Sequence, residues 1–321
     1  MENNEKKQYR ISVSVAITDE LEKIDMSGVD LLIAGYPYCR QTFKNPIEDL
    51  YSVEKTVEIM KPYLDKVIIS LPVCPIDREL VYVGRMLEYL CTTGIHGVEV
   101  HSAGMAYKVN AHYPSLRTYF GCFANVYTDQ CANVLRDMNV VGGVFPYELN
   151  LEEIEFIKNH SDIEIWLPVF GNYPVAFSQY CYFHPEQTDY PFHCGKECSE
   201  RVVVDYGDDR MVIHRGRVIF SHKILNMLTH MEMLLKKGFS NFRIAGLLLQ
   251  AETINEVIKI FRTETENILA AIEKGQSADP AETAKLIKKL EIFAPDGFSN
   301  GFFFTKRGMD YIENFYKFSA V

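Results

Sequence analysis

Residues 140–169 read VVGGVFPYELNLEEIEFIKNHSDIEIWLPV and combine the two patterns on which the fold prediction depends. Val140–Phe145 and Ile163–Val169 are short runs of apolar, mainly β-branched and aromatic residues, which are typical of buried strands. Between them, Leu151–His160 has the spacing of an amphipathic helix, and Asn150 directly before it is a suitable N-cap. The stretch therefore predicts a strand, a helix and a second strand, which is the repeating unit of a parallel sheet.

The same alternation recurs along the whole chain. The other predicted strands are Ile11–Ile17, Val29–Ala34, Val67–Leu71, Gly97–His101, Arg117–Gly121 and Phe242–Ala245. The other predicted helices are Pro46–Tyr63, Asp77–Cys91, Ala103–Ala111, Tyr127–Met138, Ser221–Lys237 and Thr253–Ile272, the last with Thr253 as its N-cap. No glycine-rich phosphate fingerprint follows the first strand, so the pattern favours a TIM-like (β/α)8 barrel over a doubly wound sheet.

One long connection interrupts this rhythm after the seventh strand. Residues 170–220 carry aromatics, prolines and three cysteines but show little periodicity, and loops of this length in compact domains are usually functional. We therefore predict a barrel domain over residues 1–275 that includes this cysteine-bearing insertion. Residues 276–321 contain one more helical stretch, Ala281–Leu290, and are predicted to be a C-terminal helix and cap.

Composition limits the classes of partner. The 321 residues include 43 acidic and 33 basic side chains, for a formal net charge of -10. This charge disfavours long nucleic acid as a partner held through its phosphates, because that attraction requires clustered Lys and Arg. A local basic groove stays open as an alternative. The polar start and the lack of a long apolar run predict a cytoplasmic protein without a membrane span.

The eight cysteines fall into two groups of four. Four have apolar neighbours on predicted strand ends and helices, and we expect them to be buried core residues: Cys74, Cys91, Cys122 and Cys131. Three others lie in the insertion, and one follows the second strand: Cys181, Cys194, Cys198 and Cys39. In a barrel the loops that follow strands open on one face, so these four thiols can meet there. Spacing alone leaves zinc and iron-sulfur clusters open, with His184 and His193 as alternative zinc ligands.

Two segments resemble the collagenase-like peptidases, known as peptidase family U32. They are Glu148-Leu-Asn-Leu-Glu-Glu-Ile154 and the stretch from Ile165 to Cys181, which ends in Ala176-Phe-Ser-Gln-Tyr-Cys181. The cysteine pattern is most similar to the UbiV-like iron-sulfur members of that family. The resemblance implies that Cys39, Cys181, Cys194 and Cys198 bind a [4Fe-4S] cluster.

The same resemblance implies an oxygen-independent hydroxylase, or a subunit of one, acting on a quinone precursor or an RNA base with prephenate as the oxygen donor. It also implies a complex with a second iron-sulfur member of the family. Two alternatives stay open, namely a non-catalytic electron-transfer partner and a peptidase. The peptidase label has no support from the usual hydrolase motifs, which the sequence lacks. Many members carry Lys-Ile-Glu-Gly-Arg on the last strand, where this chain has Arg243-Ile-Ala-Gly-Leu247.

Polar residues at strand ends are the candidate catalytic groups, because barrel enzymes place their chemistry at the carboxyl ends of the strands. His101, Asn125 and Glu148 end or follow the fourth, fifth and sixth strands, and Arg40 stands beside the first cysteine. For each of the first three, a structural role as a cap or a hydrogen-bonded strand end is the default alternative. Arg40 could instead offset the negative charge of a cluster.

Overall fold

The computed structural model describes residues 8–16, 21–35, 46–179, 181–182, 202–206, 209–214 and 217–313. Its helices are α1 (Pro46–Ile59), α2 (Leu80–Leu90), α3 (Ala103–His112), α4 (Asp129–Asp137), α5 (Leu151–His160), α6 (Met231–Lys236), α7 (Ala251–Glu273) and α8 (Pro280–Glu291). Within the described ranges, no helix combines the length and the hydropathy needed to cross a membrane.

The strands form one large sheet and one small sheet. Those of the large sheet are β1 (Arg10–Val15), β2 (Leu31–Ala34), β3 (Val67–Ser70), β4 (Gly97–Val100), β5 (Thr118–Phe120), β6 (Val140–Gly143), β7 (Glu164–Ile165), β8 (Leu167–Gly171), β13 (Ile224–Asn226), β14 (Asn241–Ala245) and β15 (Phe298–Ser299). Those of the small sheet are β9 (Pro174–Phe177), β10 (Val202–Tyr206), β11 (Asp209–His214) and β12 (Val218–Ser221).

The large sheet is dominated by parallel pairs in the order β15-β13-β8-β14-β1-β2-β3-β4-β5-β6-β7. All pairs are parallel except β13 with β8. Helices connect most consecutive parallel strands, and this confirms the predicted α/β class. Near one end of the order, β8 lies between β13 and β14. At the other end, β7 pairs with β6, and Trp166 alone separates β7 from β8.

The large sheet is curled, and its two faces differ. On the outer face, Leu32, Ile69, Val98 and Phe242 belong to the large apolar core that the helices cover. On the inner face, neighbouring positions of several strands form a second apolar cluster: Leu31, Ile33, Ile68, Tyr119, Val144 and Trp166. Successive side chains of a strand point to opposite faces, so this two-sided burial explains the nearly continuous apolar runs of the sequence.

Helix α5 begins where the sequence predicts it. The Asn150 side chain accepts a hydrogen bond from the Glu153 N–H at 2.9 Å, and the Glu153 carboxylate accepts one from the Asn150 N–H at 2.8 Å. This reciprocal pair is a capping box, which satisfies two backbone donors that a helix start leaves unpaired. The predicted N-cap role of Asn150 is confirmed.

The small antiparallel sheet packs against residues that follow strands of the large sheet. Val218 and Phe220 of β12 form an apolar cluster with Val73, which follows β3. Ala16, Phe123, Leu247 and Leu248 pack against the same cluster, and they follow β1, β5 and β14. The small sheet therefore contacts the carboxyl ends of the parallel strands.

The C-terminal part is attached to the large sheet through Asn300. Its side chain donates to the carbonyls of Asn226 at 3.3 Å and Ile312 at 3.0 Å and accepts from the Ile312 N–H at 2.7 Å. Just before it, β15 pairs with β13. The predicted boundary between residues 275 and 276 stays a prediction.

Three sequence-based expectations are wrong. The predicted helix Ser221–Lys237 contains the strand β13 and becomes α-helical only at Met231, because Ile224–Asn226 completes the sheet beside β8. Helix α7 begins at Ala251 after Gln250, so Thr253 is inside the helix and is not its N-cap. The cysteines expected in the core are not buried, since Cys74 and Cys91 are exposed and Cys122 and Cys131 are partly exposed.

Gly301 is the sharpest steric constraint in the C-terminal segment. A Cβ atom at this buried position would lie 1.8 Å from the Arg307 carbonyl oxygen. We expect Gly301→Ala to lower the free energy of unfolding by about 1–3 kcal/mol, the usual cost of overpacking. Thermal or denaturant unfolding measures it. The control is Gly104→Ala at an exposed position of α3, where a Cβ meets nothing within 4 Å and the change should be neutral or stabilising. Equal stability of the two variants would contradict the packing described here.

Candidate functional site

A polar pocket lies at the carboxyl ends of the parallel strands, inside the curl of the large sheet. The residues around it end or follow several different strands, and about 450 Å³ of space lies between them, counted out to the opening. The polar and sulfur-bearing side chains of the lining are Ser14, Ser70, Glu99, His101, Cys122, Tyr147, Asn172 and Arg243. Several polar groups that converge on one concave site at strand ends are a common arrangement in small-molecule sites.

A buried ion pair forms the floor of this pocket. Arg243 Nη1 of β14 donates to Glu99 Oε1 of β4 at 3.1 Å, and both side chains are only 6% exposed. Arg243 Nε donates to Ser12 Oγ of β1 at 2.8 Å, which fixes the plane of the guanidinium. Three strands separate β14 from β4 in the sheet order. The pair therefore crosses the interior of the curl.

Ser70 holds the second oxygen of Glu99. The Ser70 hydroxyl donates to Glu99 Oε2 at 2.8 Å, and its oxygen lies 3.0 Å from His101 Nε2. A serine hydroxyl has one proton, and a carboxylate can only accept it. His101 Nε2 therefore carries the proton of the imidazole ring and donates a hydrogen bond to the Ser70 oxygen.

The pKa values of the two ionisable partners are shifted in the same direction. Burial raises the pKa of Glu99, but Arg243 and then His101 outweigh it, so the pKa of Glu99 is below its ordinary value. Burial lowers the pKa of His101, and Arg243 lowers it further against the opposing effect of Glu99. At neutral pH the floor thus contains a carboxylate, a guanidinium and a neutral imidazole.

This serine, histidine and glutamate do not form a hydrolytic relay. A relay requires the histidine to accept the serine proton at one nitrogen while the acid holds the other nitrogen. In this chain Ser70 and Glu99 approach the same nitrogen of His101, with Glu99 Oε2 at 3.6 Å from it. Because the Ser70 hydroxyl donates its hydrogen bond to Glu99, His101 cannot act as its base in this arrangement.

Gly121 makes room for the His101 ring. A Cβ at Gly121 would lie 2.1 Å from His101 Cε1 and 2.3 Å from Nδ1. Gly35, on the other side of Ser70, has a φ of 142°, and a Cβ there would lie 2.8 Å from the Ser70 carbonyl oxygen. Glycine at these two positions lets the strands approach closely enough for Ser70 and His101 to meet.

Aromatic and amide groups form the wall of the pocket. Tyr147 stacks on Tyr173 with ring centroids 5.2 Å apart and an interplanar angle of 15°. Burial, followed by Cys122, raises the pKa of Tyr147, so its hydroxyl stays protonated at neutral pH. Asn172, which lines the pocket, donates through Nδ2 to the Ser221 carbonyl at 2.7 Å. Its side-chain oxygen accepts no hydrogen bond from the described residues.

Of the four predicted cluster ligands, the structure describes Cys181, which is partly exposed. It follows β9, and the segment before it is anchored by Arg217, which donates to the Ser178 carbonyl at 3.1 Å and to Gln179 Oε1 at 2.7 Å. Cys39, Cys194, Cys198 and Arg40 lie outside the described residues. Within the described ranges, no three His, Cys, Asp or Glu side chains form a group that could hold a metal ion.

The three candidate catalytic residues that are described lie in different places. His101 lines the pocket, as the sequence predicts. Asn125 is exposed in the left-handed conformation, with a φ of 57°, and ends a short turn after β5. Glu148 is exposed and accepts a hydrogen bond from Tyr127, and burial together with this contact raises the pKa of Tyr127 to about 12. Asn125 and Glu148 are not part of the pocket lining.

Sequence reasoning missed Ser70, Glu99 and Arg243. Two of them carry a recognisable signal, because Glu99 stands between Val98 and Val100, and Arg243 stands between Phe242 and Ile244. A charged residue in the middle of an apolar strand is rarely buried unless it is paired. Two such residues in one parallel sheet therefore indicate an internal ion pair.

Sequence comparison identifies one family and two relatives. The model of peptidase family U32 matches residues 18–313. The chain is 23% identical over 258 residues to the 23S rRNA 5-hydroxycytidine C2501 synthase of Escherichia coli (strain K12), an alignment that covers 79% of this chain and 38% of that protein. It is 20% identical over 343 residues to the tRNA hydroxylation protein P of the same organism, covering 91% of this chain and 74% of that protein. The chain thus spans well under half the length of the first relative.

Structure comparison gives partial overlaps. A U32 peptidase has a TM-score of 0.43 at 14% identity, covering 74% of this chain and 92% of that chain. The tryptophan synthase alpha chain of Legionella pneumophila subsp. pneumophila has a TM-score of 0.42 at 12% identity, covering 87% and 88%.

The lowered pKa of His101 has a measurable consequence for stability. Below the unfolded-state pKa of about 6.5, the unfolded chain binds a proton at this position that the folded chain does not. The free energy of unfolding therefore decreases as the pH is lowered. We expect His101→Asn to remove up to about 1.4 kcal/mol per pH unit from the slope of the unfolding free energy just below pH 6.5. Urea unfolding between pH 5 and 8 measures the slope. The control is His112→Asn, an exposed histidine, which should leave it unchanged. An unaltered slope in His101→Asn would show that the imidazole titrates normally.

Proposed function

The chain belongs to peptidase family U32, and on that premise we propose that it is an oxygen-independent hydroxylase, or a subunit of one, that carries a [4Fe-4S] cluster and acts on an RNA base. The observation that carries the proposal is the match to two relatives named for RNA hydroxylation, over 79% and 91% of this chain. The pocket supports it, since its floor is polar, buried and unsuited to serine hydrolysis. A quinone precursor is the alternative substrate that the sequence resemblance implies.

A closed barrel is part of this proposal. β7 bonds to β6 and β8 bonds to β14, while only Trp166 separates β7 from β8. If these two short strands act as one, eight parallel strands surround the pocket, as the sequence predicts. Residues 170–220 then form the insertion that follows the seventh strand. In such barrels the substrate enters at the carboxyl ends of the strands.

The donor set fits an iron-sulfur cluster at the pocket mouth. Four thiolates are the usual ligands of a [4Fe-4S] cluster. Cys39 is four residues beyond Gly35, and four residues span at most about 14 Å, so its attachment point is close to the pocket lining. Cys181 follows Phe177 of β9, and Cys198 precedes Val202 of β10 in the same small sheet. A bound cluster would be able to transfer electrons one at a time between the substrate and the oxygen donor.

The residues of this chain would bind and orient the substrate. Replacing C–H by C–OH on a base removes two electrons from it, so the reaction needs an oxygen donor that accepts them. Arg243 and Tyr147 offer N–H and O–H donors to carbonyl groups of a ring, while the buried floor excludes water. His101 and Ser70 hold Glu99 ionised, and through it they hold Arg243 in place.

Two alternative roles are distinguished by the tests of this proposal, and one predicted partner goes with it. A non-catalytic electron-transfer subunit would retain the cluster but would tolerate changes at His101 and Arg243. A peptidase would cleave gelatin, and it would need neither cluster nor anaerobic handling. The complex with another iron-sulfur member of the family stays a prediction.

Iron content tests the cluster. Anaerobic reconstitution of the chain should give about four iron and four sulfide per chain. Single changes of Cys39, Cys181, Cys194 or Cys198 to alanine should each lower the iron content and reduce the visible absorption. The control variants are Cys74→Ala and Cys91→Ala, which should keep both, because these exposed cysteines are not in the proposed ligand set. Uptake of one zinc and no iron by the unmodified chain would refute the redox proposal.

Nucleoside analysis tests the substrate. Deleting the gene in its host and digesting total RNA to nucleosides should reveal the loss of one hydroxylated base by mass spectrometry. The unmodified gene should restore it, and the gene for Cys181→Ala should not. If RNA is unchanged and the quinone profile is altered, the substrate is a quinone precursor. If hydroxylation returns only when a second family member is co-expressed, this chain is a subunit.

A further inference from the structure

A second cavity lies between the helices α7 and α8 and the start of α6. Its volume is about 430 Å³, which is within the range of about 300–1,000 Å³ that is usual for small-molecule sites. Apolar side chains form much of its wall, among them Leu228, Ile268 and Ile287. None of the described residues that line it also lines the pocket at the strand ends. The cavity is therefore a separate place for a ligand.

The carboxyl group of Glu264 borders this cavity with only one of its oxygens bonded. Glu264 is 2% exposed, and its Oε1 accepts a hydrogen bond from Thr283 Oγ1 at 2.6 Å. Within the described part of the chain, no group donates to Oε2 and no cation pairs with the carboxylate. Burial raises the pKa of Glu264, the hydrogen bond from Thr283 opposes this effect, and the charges of Glu232 and Glu282 raise the pKa further. A buried carboxylate without a counter-ion is costly, and a bound cation would remove that cost.

The other polar groups around the cavity also favour a cation. Four glutamates and one lysine belong to the described lining, so carboxylates outnumber the ammonium group of Lys288. Thr229 Oγ1 is buried beside the cavity near Tyr311, and neither hydroxyl is aligned for a hydrogen bond to a described residue. A positively charged ligand would thus meet several oxygen acceptors, whereas an anion would be repelled.

An organic cation fits this cavity better than a metal ion does. Among the residues that the structure describes, no three His, Cys, Asp or Glu side chains form a group that could hold a metal. The apolar wall suits a hydrocarbon body, which a metal ion lacks. A primary ammonium group has three N–H donors, and Glu264 Oε2 and the Thr229 hydroxyl are acceptors for two of them.

We propose that this cavity is a second ligand site, which binds a small organic ammonium ion with its charged group against Glu264 and its hydrocarbon part between α7 and α8. The inference does not depend on the proposed function or on the pocket at the strand ends. It makes Glu264 the counter-ion of the ligand, which explains why a carboxyl group is buried here without a cation from the chain.

A matched pair of small molecules isolates the charge. 2-Phenylethylamine and 2-phenylethanol have nearly the same shape and differ by one positive charge. Their dissociation constants are measured by ligand-observed NMR with the full chain at pH 8 and about 0.15 M salt, which screens exposed charges. The unmodified protein should bind the amine at least about ten-fold more tightly than the alcohol, as expected for a hydrogen bond between charged groups.

Glu264→Gln should abolish this preference. Glutamine can still accept the hydrogen bond from Thr283 but has no charge, so the ratio of amine to alcohol affinity should fall by about ten-fold or more. The variant should stay folded, because the change removes a buried charge that has no counter-ion. The control is Glu273→Gln, which removes a charge from the exposed end of the same helix, outside the cavity lining, and should leave the ratio unchanged.

A cavity-filling variant locates the bound molecules. Ile287 is a partly buried residue of α8 in the lining, and Ile287→Trp puts a larger side chain there without changing the charge. Both molecules should then bind much more weakly. The inference is overturned if the unmodified protein binds the two molecules equally or binds neither, if folded Glu264→Gln keeps the preference for the amine, or if folded Ile287→Trp binds both as before.

Discussion

One ion pair inside the large sheet constrains the rest of the structure. Glu99 and Arg243 come from strands that are four places apart in the sheet order, and adjacent strands are about 4.8 Å apart. In a flat sheet their side chains would stand in parallel, roughly 19 Å from each other. Their contact at 3.1 Å therefore requires the sheet to curl. Because removal of one partner from a buried pair costs about 3–5 kcal/mol, the curl and the pair stabilise each other.

The surroundings of the pair are arranged to keep it ionised. Ser70 and Ser12 satisfy atoms that would otherwise be buried without partners, and glycine at position 121 lets the His101 ring pack beside them. Ser70 donates to Glu99, and His101 donates to Ser70. These hydrogen bonds differ from those of a hydrolytic serine site, although the family is named for peptidases. A serine that donates to a carboxylate is a poor nucleophile. A fixed guanidinium whose Nη2 has no acceptor among the described residues is a good hydrogen-bond donor.

The apolar pattern predicted most of the large sheet, and its failures have physical causes. The sequence predicts a helix at Ile224–Asn226 because a strand of three residues directly before a helical run shows no period of its own. The pairing of β13 with β8 and β15 decides its conformation. The expected burial of Cys74 and Cys91 failed because apolar neighbours in sequence do not fix which face of a turn or a helix end meets solvent.

By itself, the sequence determined the α/β class, the positions of seven of the eight predicted helices and the presence of His101 at a strand end, because these depend on local periodicity and capping. It also supplied the cysteine pattern, whereas the choice of a [4Fe-4S] cluster over zinc rests on the family resemblance. Only the tertiary structure brought Ser70, Glu99 and Arg243 together, since 29 and 144 residues separate Glu99 from its two partners. Each of the three is merely a polar residue in or at the end of a strand until the sheet curls, and the curl depends on the pairing of all the strands at once.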